Sequence, residues 1–430
     1  MKYLLTSLLI LSCVLSEAQK LPRKERKIIK AVQKNTSESI AFLEEVVNMN
    51  SGTMNHEGVK AVGMKFKSKF DEIGMETMWL EAPDELDRAG HLFVEQKGTK
   101  GKKLLLIGHL DTVFETNSPF QEYIDQDTIA IGPGVADMKS GDVIILYALK
   151  ALYEAKVLDD TQIIVALIGD EEMAGRPTAL SRKDLVDAAK RSDIALAFEG
   201  ATGTRYATIA RRGSSNWHLE VEGVRAHSSA IFREKVGAGA IFETARILNS
   251  FYEELPEEYL TFNPGIIVGG SSVEYDKVLS EATAFGKTNV VAQKVEVGGG
   301  IRFISDEQLD RAKLKMQEIV SQNLPQTSAT ITFEEDYYPA MSPTDGNMEV
   351  LKVLDQVSRD LGHGPVKPWD PARRGAGDIS FVAQYVDALD GLGVLGGNAH
   401  AEGEYVDLTT FDIFVQRAAL LIYRLTRDKS

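Results

Sequence analysis

The sequence contains a single cysteine, Cys13, among its 430 residues. Because this residue lies so close to the amino terminus, the rest of the chain can form no internal disulfide bond and has no thiol nucleophile. Basic residues are also fewer than acidic ones. The sequence has 48 Lys and Arg and 63 Asp and Glu, for a formal net charge of −15. A chain this acidic lacks the clustered cations that neutralise nucleic-acid phosphates, so we expect no nucleic-acid partner.

Long hydrophobic runs are missing too, so we expect no membrane span. The apolar run at residues 3–15 is shorter than the ~20 residues that a transmembrane helix needs. Lys2 precedes this run and small residues follow it, which is typical of a signal peptide at residues 1–18 that is removed before Gln19. The residues before Cys13 match a lipoprotein signal poorly. We therefore expect a secreted or periplasmic protein, with lipid attachment at Cys13 as the weaker alternative.

What remains is typical of a globular protein. The chain is 43% hydrophobic and 26% charged, which excludes a disordered polymer. Short apolar runs alternate with segments of helical periodicity, and this order predicts a mostly parallel sheet with helices on both faces. The predicted helices are Pro22–Met49, Gly58–Ile73 and Asp142–Leu158, and the predicted strands are Lys103–Ile107, Ile163–Ile168 and Ile194–Phe198.

The pattern changes after Gly213. Alternating segments and two helices predict a compact α+β insert at residues 213–339, between two parts of one α/β domain at residues 19–212 and 340–430. The insert's predicted strands are Trp217–Val221, Gly265–Val268, Asn289–Val297, Ile301–Ile304 and Ala329–Phe333, and its helices are Gly237–Phe251 and Ser305–Leu324. In the last part we predict helices Asn347–Leu361, Asp378–Leu389 and Thr409–Arg427, with a strand at Leu392–Leu395.

Acidic and imidazole side chains follow several of the predicted strands. Ligands of open α/β sheets bind outside the carboxyl ends of the strands, so we expect these segments on one rim. Alone, each would be an ordinary loop, turn or capping residue. Together, two His and several carboxylates without Cys suit zinc or a similar divalent ion. Three carboxylates and a hydroxide carry about −4, which balances two divalent cations.

At this point the sequence resembles the dinuclear zinc peptidases and amidohydrolases, a family that includes glutamate carboxypeptidase, aminoacylase, dipeptidases and succinyl-diaminopimelate desuccinylase. The resemblance extends from about Lys30 to Arg427. The motifs that carry it are His109-Leu110-Asp111-Thr112, Gly134-x-x-Asp137-Met138-Lys139-x-Gly141, Asp170-Glu171-Glu172 and Gly397-x-x-His400-x-x-x-Glu404. It implies a zinc-peptidase-like fold with a smaller lid domain, and a homodimer formed through that lid.

The resemblance also implies roles for individual residues. Two metal ions, zinc with manganese or cobalt as alternatives, would be bridged by Asp137, and a cis peptide bond would follow it. His109 and Glu199 would complete one set of ligands, and Glu172 and His400 the other. Asp111 would orient the imidazole of His109. Glu171 would be the general base.

Further residues are implied at the substrate. His227 would stabilise the oxyanion, Asn289 and Arg302 would grip the substrate carboxylate, and the loop with Gly375 and Gly377 would offer backbone N–H groups. The strand of Arg302 departs from the family pattern, because Gly300 stands where relatives often have Asp. Other arginines could also meet a carboxylate, namely Arg211, Arg212, Arg373 and Arg374. The histidines that match no motif, and that we interpret as structural or solvated, are His56, His91, His218 and His363.

These features predict a metal-dependent exopeptidase that cuts the amide bond beside a free carboxylate, similar to glutamate carboxypeptidase. Glu171 would take a proton from a water activated by the two metals and pass it to the leaving amine. Its substrate would be a small peptide or an N-acyl amino acid. An N-acyl-amino-acid deacylase or a dipeptidase is the alternative, and a periplasmic binding protein is the alternative without catalysis. The serine-hydrolase motif Gly-x-Ser-x-Gly is absent from the sequence.

Overall fold

The computed structural model describes residues 21–276, 279 and 281–427. The predicted signal peptide at residues 1–18, with Cys13, lies outside the described residues. Within the described part, the α-helices are α1 Arg23–Val47, α2 His56–Glu72, α3 Ser140–Glu154, α4 Thr178–Ser181, α5 Lys183–Ala189, α6 Ala240–Glu254, α7 Asp306–Ser321, α8 Asp345–Asp360, α9 Asp378–Val382 and α10 Leu408–Leu425. None of these helices combines the length and the apolar character that crossing a bilayer would require.

The strands of the same ranges form five sheets. They are β1 Glu76–Leu80, β2 His91–Gln96, β3 Lys100–His109, β4 Ile124–Gln126, β5 Ile129–Ile131, β6 Thr161–Ile168, β7 Ile194–Ala197, β8 Tyr206–Ala207, β9 Gly213–Gly223, β10 Thr261–Gly270, β11 Ser272–Asp276, β12 Glu281–Phe285, β13 Lys294–Phe303, β14 Thr327–Phe333, β15 Lys367–Pro368, β16 Asp387–Leu389, β17 Gly396–Gly397 and β18 Tyr405–Asp407.

The main sheet has six strands in the order β1-β2-β6-β3-β7-β16. Strands β6, β3, β7 and β16 run parallel, whereas β1 and β2 add an antiparallel edge. Consecutive residues of β3 alternate between its faces. Leu104 and Leu106 pack in the core under α1, α3 and α10, whereas Leu105 and Ile107 pack in the core under α5 and α9. The predicted mostly parallel sheet with helices on both faces is therefore confirmed.

A second, antiparallel sheet has the order β10-β13-β9-β14. One of its faces carries α6 and α7, and Trp217, Leu219 and Val221 of β9 lie in the core between them. This is the smaller α+β unit that the sequence predicts, although the boundaries at 213 and 339 stay a prediction. The predicted strands Asn289–Val297 and Ile301–Ile304 are wrong as two strands, because β13 continues through the glycine run. Trp217 packs so closely there that a Cβ on Gly299 would lie 2.3 Å from its ring.

Two predictions near the carboxyl terminus are also wrong. The helix predicted at Asp378–Leu389 ends at Val382, and the chain then enters β16, which pairs with β7. The strand predicted at Leu392–Leu395 is not one, because those residues connect β16 to β17. A short buried apolar run fits a helix and a strand equally well by periodicity, so pairing across the sheet decided the outcome.

Candidate metal centre

The polar segments predicted on one rim do meet at the carboxyl end of the main sheet. His109 is the last residue of β3, Glu171 and Glu172 follow β6, and Glu199 follows β7. His400 lies in the loop between β17 and β18, which pair with each other. Its backbone φ is 63°, in the left-handed region. The sheet therefore supplies a rigid frame, and the ligand candidates lie on the loops that leave it.

Asp137 lies between the two histidines. Its Oδ1 is 3.2 Å from Nε2 of His109, and its Oδ2 is 3.1 Å from Nε2 of His400. Each carboxylate oxygen therefore faces a different imidazole, which is the arrangement that a carboxylate bridging two cations requires. The expected cis peptide bond between Asp137 and Met138 is present.

The remaining predicted ligands divide between the two histidines. Oε1 of Glu199 is 3.8 Å from Nε2 of His109, and Oε2 of Glu172 is 3.0 Å from Nε2 of His400. His109 can share an ion with Asp137 and Glu172, or with Glu171 and Glu199, since the ligand atoms of each trio lie within 4.8 Å of one another. The structure thus brings together all five residues that the sequence predicts as metal ligands.

Asp111 contacts both His109 and the loop that carries Glu171 and Glu172, and it fixes their positions. Its Oδ1 is 3.4 Å from Nδ1 of His109 and accepts a hydrogen bond of 3.0 Å from the backbone N–H of Glu171. Its Oδ2 accepts from the backbone N–H of Glu172 and from the hydroxyl of Thr53, at 3.1 and 2.7 Å. Nδ1 of His109 also forms a hydrogen bond of 3.0 Å with the backbone carbonyl of Asp111, so the fully buried Asp111 fixes the imidazole and the Glu171–Glu172 loop relative to each other. The contribution of Thr53 was not predicted.

Glu171 is placed for proton transfer. Burial raises the pKa of its carboxyl group well above the usual range, His109 lowers that pKa, and the carboxylates of Glu199 and Asp378 raise it further. A carboxylate with a raised pKa is a stronger base than an ordinary one, so it can accept a proton and later return it. The backbone bond to Asp111 holds Glu171 beside the cluster.

The donor set fits a divalent cation. Oε1 of Glu172 is buried and has no hydrogen-bond partner, so a ligand position is open at that atom. Burial raises the pKa of Glu172, and burial together with Asp137 raises the pKa of Glu199 to about 7. So many buried carboxylates in contact destabilise one another unless a cation compensates them. Imidazole nitrogen and carboxylate oxygen are the ligands of zinc and its neighbours in the periodic table.

Glu404 supports Asp137, the residue predicted to bridge the ions. The sequence did not reveal this role, although one of the motifs includes Glu404. Its Oε1 accepts hydrogen bonds from the backbone N–H groups of Ala136 and Asp137, at 2.6 and 2.9 Å. Its Oε2 accepts from Gly134, at 3.2 Å. This buried carboxylate therefore fixes the turn from which the side chain of Asp137 projects.

We expect Glu404→Ala to weaken metal binding by about 10- to 100-fold, because the turn that presents Asp137 loses its three hydrogen bonds. The measurement is the dissociation constant for Zn²⁺, from competition with a chelator of known affinity. Glu402→Ala is the matched control, since Glu402 is exposed two positions earlier. Equal zinc affinities for the two variants would contradict the role given to Glu404.

The residues predicted at the substrate fall into two groups. A Cβ on Gly377 would lie 3.5 Å from Oε1 of Glu171, and the carbonyl of Gly375 accepts a hydrogen bond from Arg211, so this loop borders the cluster. The other three residues lie on the smaller sheet and its loops. His227 and Asn289 are neighbours there, joined by the bond from Ser228 N to Asn289 O, and Arg302 is on β13. In the described residues, no hydrogen bond or ion pair joins His227, Asn289 or Arg302 to the five ligand candidates.

Comparison with known proteins decides the family. Residues 105–424 match the profile of Peptidase family M20/M25/M40, which covers most of the chain. The chain belongs to this family. It is therefore a metallopeptidase or amidohydrolase, as the sequence motifs predict.

Individual members of the M20/M25/M40 family agree over nearly the whole chain. Carboxypeptidase G2 of Pseudomonas sp. (strain RS-16) is 26% identical over 401 residues, which cover 91% of this chain and 90% of that protein. Succinyl-diaminopimelate desuccinylase of Hydrogenovibrio crunogenus is 22% identical over 409 residues, which cover 91% and 98%. A dinuclear metal binding peptidase of Bacillus subtilis superposes with a TM-score of 0.62 at 13% identity and covers 91% of this chain and 99% of its own. That likeness shows the shared fold.

Proposed function

We propose that this M20/M25/M40 protein is an exopeptidase that binds two divalent metal ions and hydrolyses the amide bond beside a free carboxylate, as a glutamate carboxypeptidase does. The observation that carries the proposal is Asp137 with one oxygen toward His109 and the other toward His400, next to the half-buried Glu171. His109, Asp137 and Glu199 would hold one ion, and Asp137, Glu172 and His400 the other. When bound, the ions would lower the pKa of water and stabilise negative charge on the carbonyl oxygen.

The protein's own residues supply the proton transfers. Glu171 accepts a proton as water attacks the scissile carbonyl, and then gives it to the nitrogen of the leaving amine. Asp111 keeps Glu171 in position through the backbone bond at 3.0 Å. His227, on a loop of the smaller unit, would donate a hydrogen bond to the oxyanion. In this reaction no residue of the chain becomes covalently attached to the substrate.

Substrate choice rests on two kinds of support. The similarity to carboxypeptidase G2 favours a peptide or acyl group linked to glutamate. Cationic side chains near the cluster and on β13, Arg302 among them, suit a substrate with a free carboxylate. An N-acyl-amino-acid deacylase or a dipeptidase would use the same residues, and relatives with desuccinylase activity keep that alternative open.

We also propose that zinc is the native metal, that the mature protein is exported after cleavage at residue 18, and that two copies associate through residues 213–339. Nitrogen and oxygen ligands suit zinc, and they suit manganese and cobalt as alternatives. Export is supported by Lys2 and the apolar run at residues 3–15.

A metal count combined with a substrate panel tests this proposal. Mature Gln19–Ser430, purified without chelator, should contain about two metal ions per chain, since each ligand set can hold one. It should release the amino acid from N-acyl-glutamate, N-acyl-alanine or dipeptides, fastest where glutamate is released. Chelator should abolish the release, and added Zn²⁺ should restore it. A fully reconstituted chain that hydrolyses none of these substrates would refute the proposed activity.

A further inference from the structure

Arg417, on α10, is a buried arginine that has no acidic partner. Only 4% of its surface is exposed. Nη2 donates to the hydroxyl of Ser358 at 2.8 Å, whereas Nε is buried and has no hydrogen-bond partner. In residues 21–276, 279 and 281–427, no carboxylate forms an ion pair with Arg417, and burial lowers its pKa to about 10. The positive charge of this guanidinium is therefore left without a counter-ion among those residues.

Two other arginines show what a buried guanidinium normally requires. Arg424, on the same helix, forms ion pairs with Glu25 and Asp360, at 2.9 and 2.7 Å. Arg182 likewise donates to two buried carboxylates. Charged groups inside proteins are paired or bind a ligand, because taking an isolated charge out of water costs free energy. Arg417 lacks the kind of partner that Arg424 and Arg182 have.

The groups that do surround Arg417 offset only part of its charge. Ser358 lies in the last turn of α8, and the carbonyl end of a helix carries about half a negative elementary charge. The guanidinium is also 5.7 Å from the ring centroid of Phe414, whose face is weakly negative. Even so, burial and, after it, the charge of Arg417 lower the pKa of His363. The charge is thus still effective at a neighbouring side chain.

A small cavity lies beside Arg417, between α8, α10 and the turn after β16. Its wall includes Phe414, Leu421 and Gly391, and no carboxylate of the described residues lines it. The cavity volume is about 10 Å³, which is room for one water molecule or one ion of similar size. The hydroxyl oxygen of Thr208 is buried without a partner, and it lies 3.1 Å from where a Cβ on Gly391 would be. Two buried donors without partners, one of them charged, therefore lie at or next to this cavity.

Charge and size decide what the cavity would take. A water molecule could accept a hydrogen bond from Nε of Arg417, but it would leave the charge uncompensated. A metal cation would be repelled, since guanidinium has five N–H donors and no acceptor. Sulfate, phosphate and carboxylate-bearing molecules are too large for this volume. A halide ion is a single atom, carries a negative charge and accepts hydrogen bonds from N–H and O–H groups.

We propose that the cavity beside Arg417 binds one halide ion, chloride under ordinary conditions, as the counter-ion of the Arg417 guanidinium. The ion accepts a hydrogen bond from Nε of Arg417, and the hydroxyl of Thr208 is the second donor close by. The site is separate from the candidate metal centre and does not depend on the exopeptidase activity proposed above. Its effect is to stabilise the packing of α8 against α10.

Thermal unfolding in two sodium salts tests the proposal. The metal-loaded full chain is compared in sodium chloride and in sodium gluconate at equal ionic strength, because gluconate is too large for the cavity. A ligand that binds only the folded chain raises the midpoint of unfolding as its concentration rises. We expect the midpoint to be about 1–4 °C higher in chloride than in gluconate, and the difference to grow with salt concentration.

Two variants assign this difference to the cavity. Arg417→Met removes the charge and keeps an unbranched side chain, so it should lose most of the difference between the two salts. Chloride that binds elsewhere, the metal ions included, acts equally on this variant and is subtracted by the comparison. Arg424→Met is the matched control on the same helix, and it should keep the full chloride effect even if both midpoints fall.

Crystals of the wild-type full chain grown in sodium bromide give a second measurement, which needs no variant. Bromide scatters anomalously, so the ion should appear as an anomalous peak within hydrogen-bond distance of Nε of Arg417. Equal chloride dependence of the wild type and Arg417→Met would overturn the proposal. A cavity that holds only water in the bromide crystals would overturn it as well, whether or not Arg417→Met folds.

Discussion

Replacing Glu171 by Gln is expected to reduce kcat by about 10²- to 10⁴-fold while leaving the metal content unchanged. The amide of Gln cannot accept the proton of the attacking water, so the reaction loses its base. The substitution preserves the side-chain volume and the backbone N–H that donates to Asp111, so the position of the loop should not change. The measurements are kcat on the best substrate of the panel and the number of metal ions per chain.

The neighbouring residue provides the control for this prediction. Glu172→Gln should lower the metal content, because Oε2 of Glu172 faces His400 and its Oε1 is free for a ligand. Loss of the Glu171 carboxylate would then remove proton transfer, whereas loss of the Glu172 carboxylate would remove metal. Full activity in Glu171→Gln would show that another group is the base.

Replacing Arg182 by Met is expected to lower the free energy of unfolding by about 3–5 kcal/mol. The guanidinium of Arg182 is fully buried and donates to the carboxylates of Asp170 and Asp378, at 2.6 Å each, and to the backbone carbonyl of Asp170 at 2.9 Å. Without it, two buried carboxylates would face each other with no counter-ion. Urea denaturation followed by circular dichroism measures the change.

A variant of an exposed arginine is the control for this stability prediction. Arg191 forms an ion pair of 2.8 Å with Glu95 on the surface, and its side chain is 47% exposed. Arg191→Met should cost less than about 1 kcal/mol, because water solvates both charges whether or not they pair. If Arg182→Met cost as little as this control, the buried ion pairs would contribute nothing to the stability of the loop that begins at Asp170.

The parts of the fold that the sequence predicted are those determined by local pattern. β3 and β6 are buried on both faces, so their residues form continuous apolar runs bounded by glycine. Strands β1 and β2 were missed, because the edge strand β1 is partly exposed and both strands contain polar residues, such as Glu76 and His91. β16 was taken for the end of a helix, since three residues are too few to show a period.

The candidate site also has a part that could be predicted from the sequence and a part that could not. The resemblance of the motifs to a known family implied the five ligand candidates that the structure brings together, since each of the five belongs to a short segment at the carboxyl-end rim of the sheet or beside it. The hydrogen bonds of Glu404 to the turn before α3, and the contact of Arg374 with Gly200, join residues far apart in the sequence. No periodicity reports such contacts, so only the folded structure could reveal them. The parts given to His227, Asn289 and Arg302 stay predictions.

The bonds between Glu404 and the turn at Gly134 connect positions 270 residues apart. Contacts of such long range form late in folding, because closing a loop of that size costs conformational entropy before any hydrogen bond offsets that cost. During synthesis, every residue of the insert leaves the ribosome before His400 and Glu404 do. A nascent chain can therefore build β3, β6 and β7 early but cannot complete the candidate metal centre until His400 and Glu404 have emerged. Metal uptake would then mark the end of folding, and a fragment shortened before His400 would remain without activity.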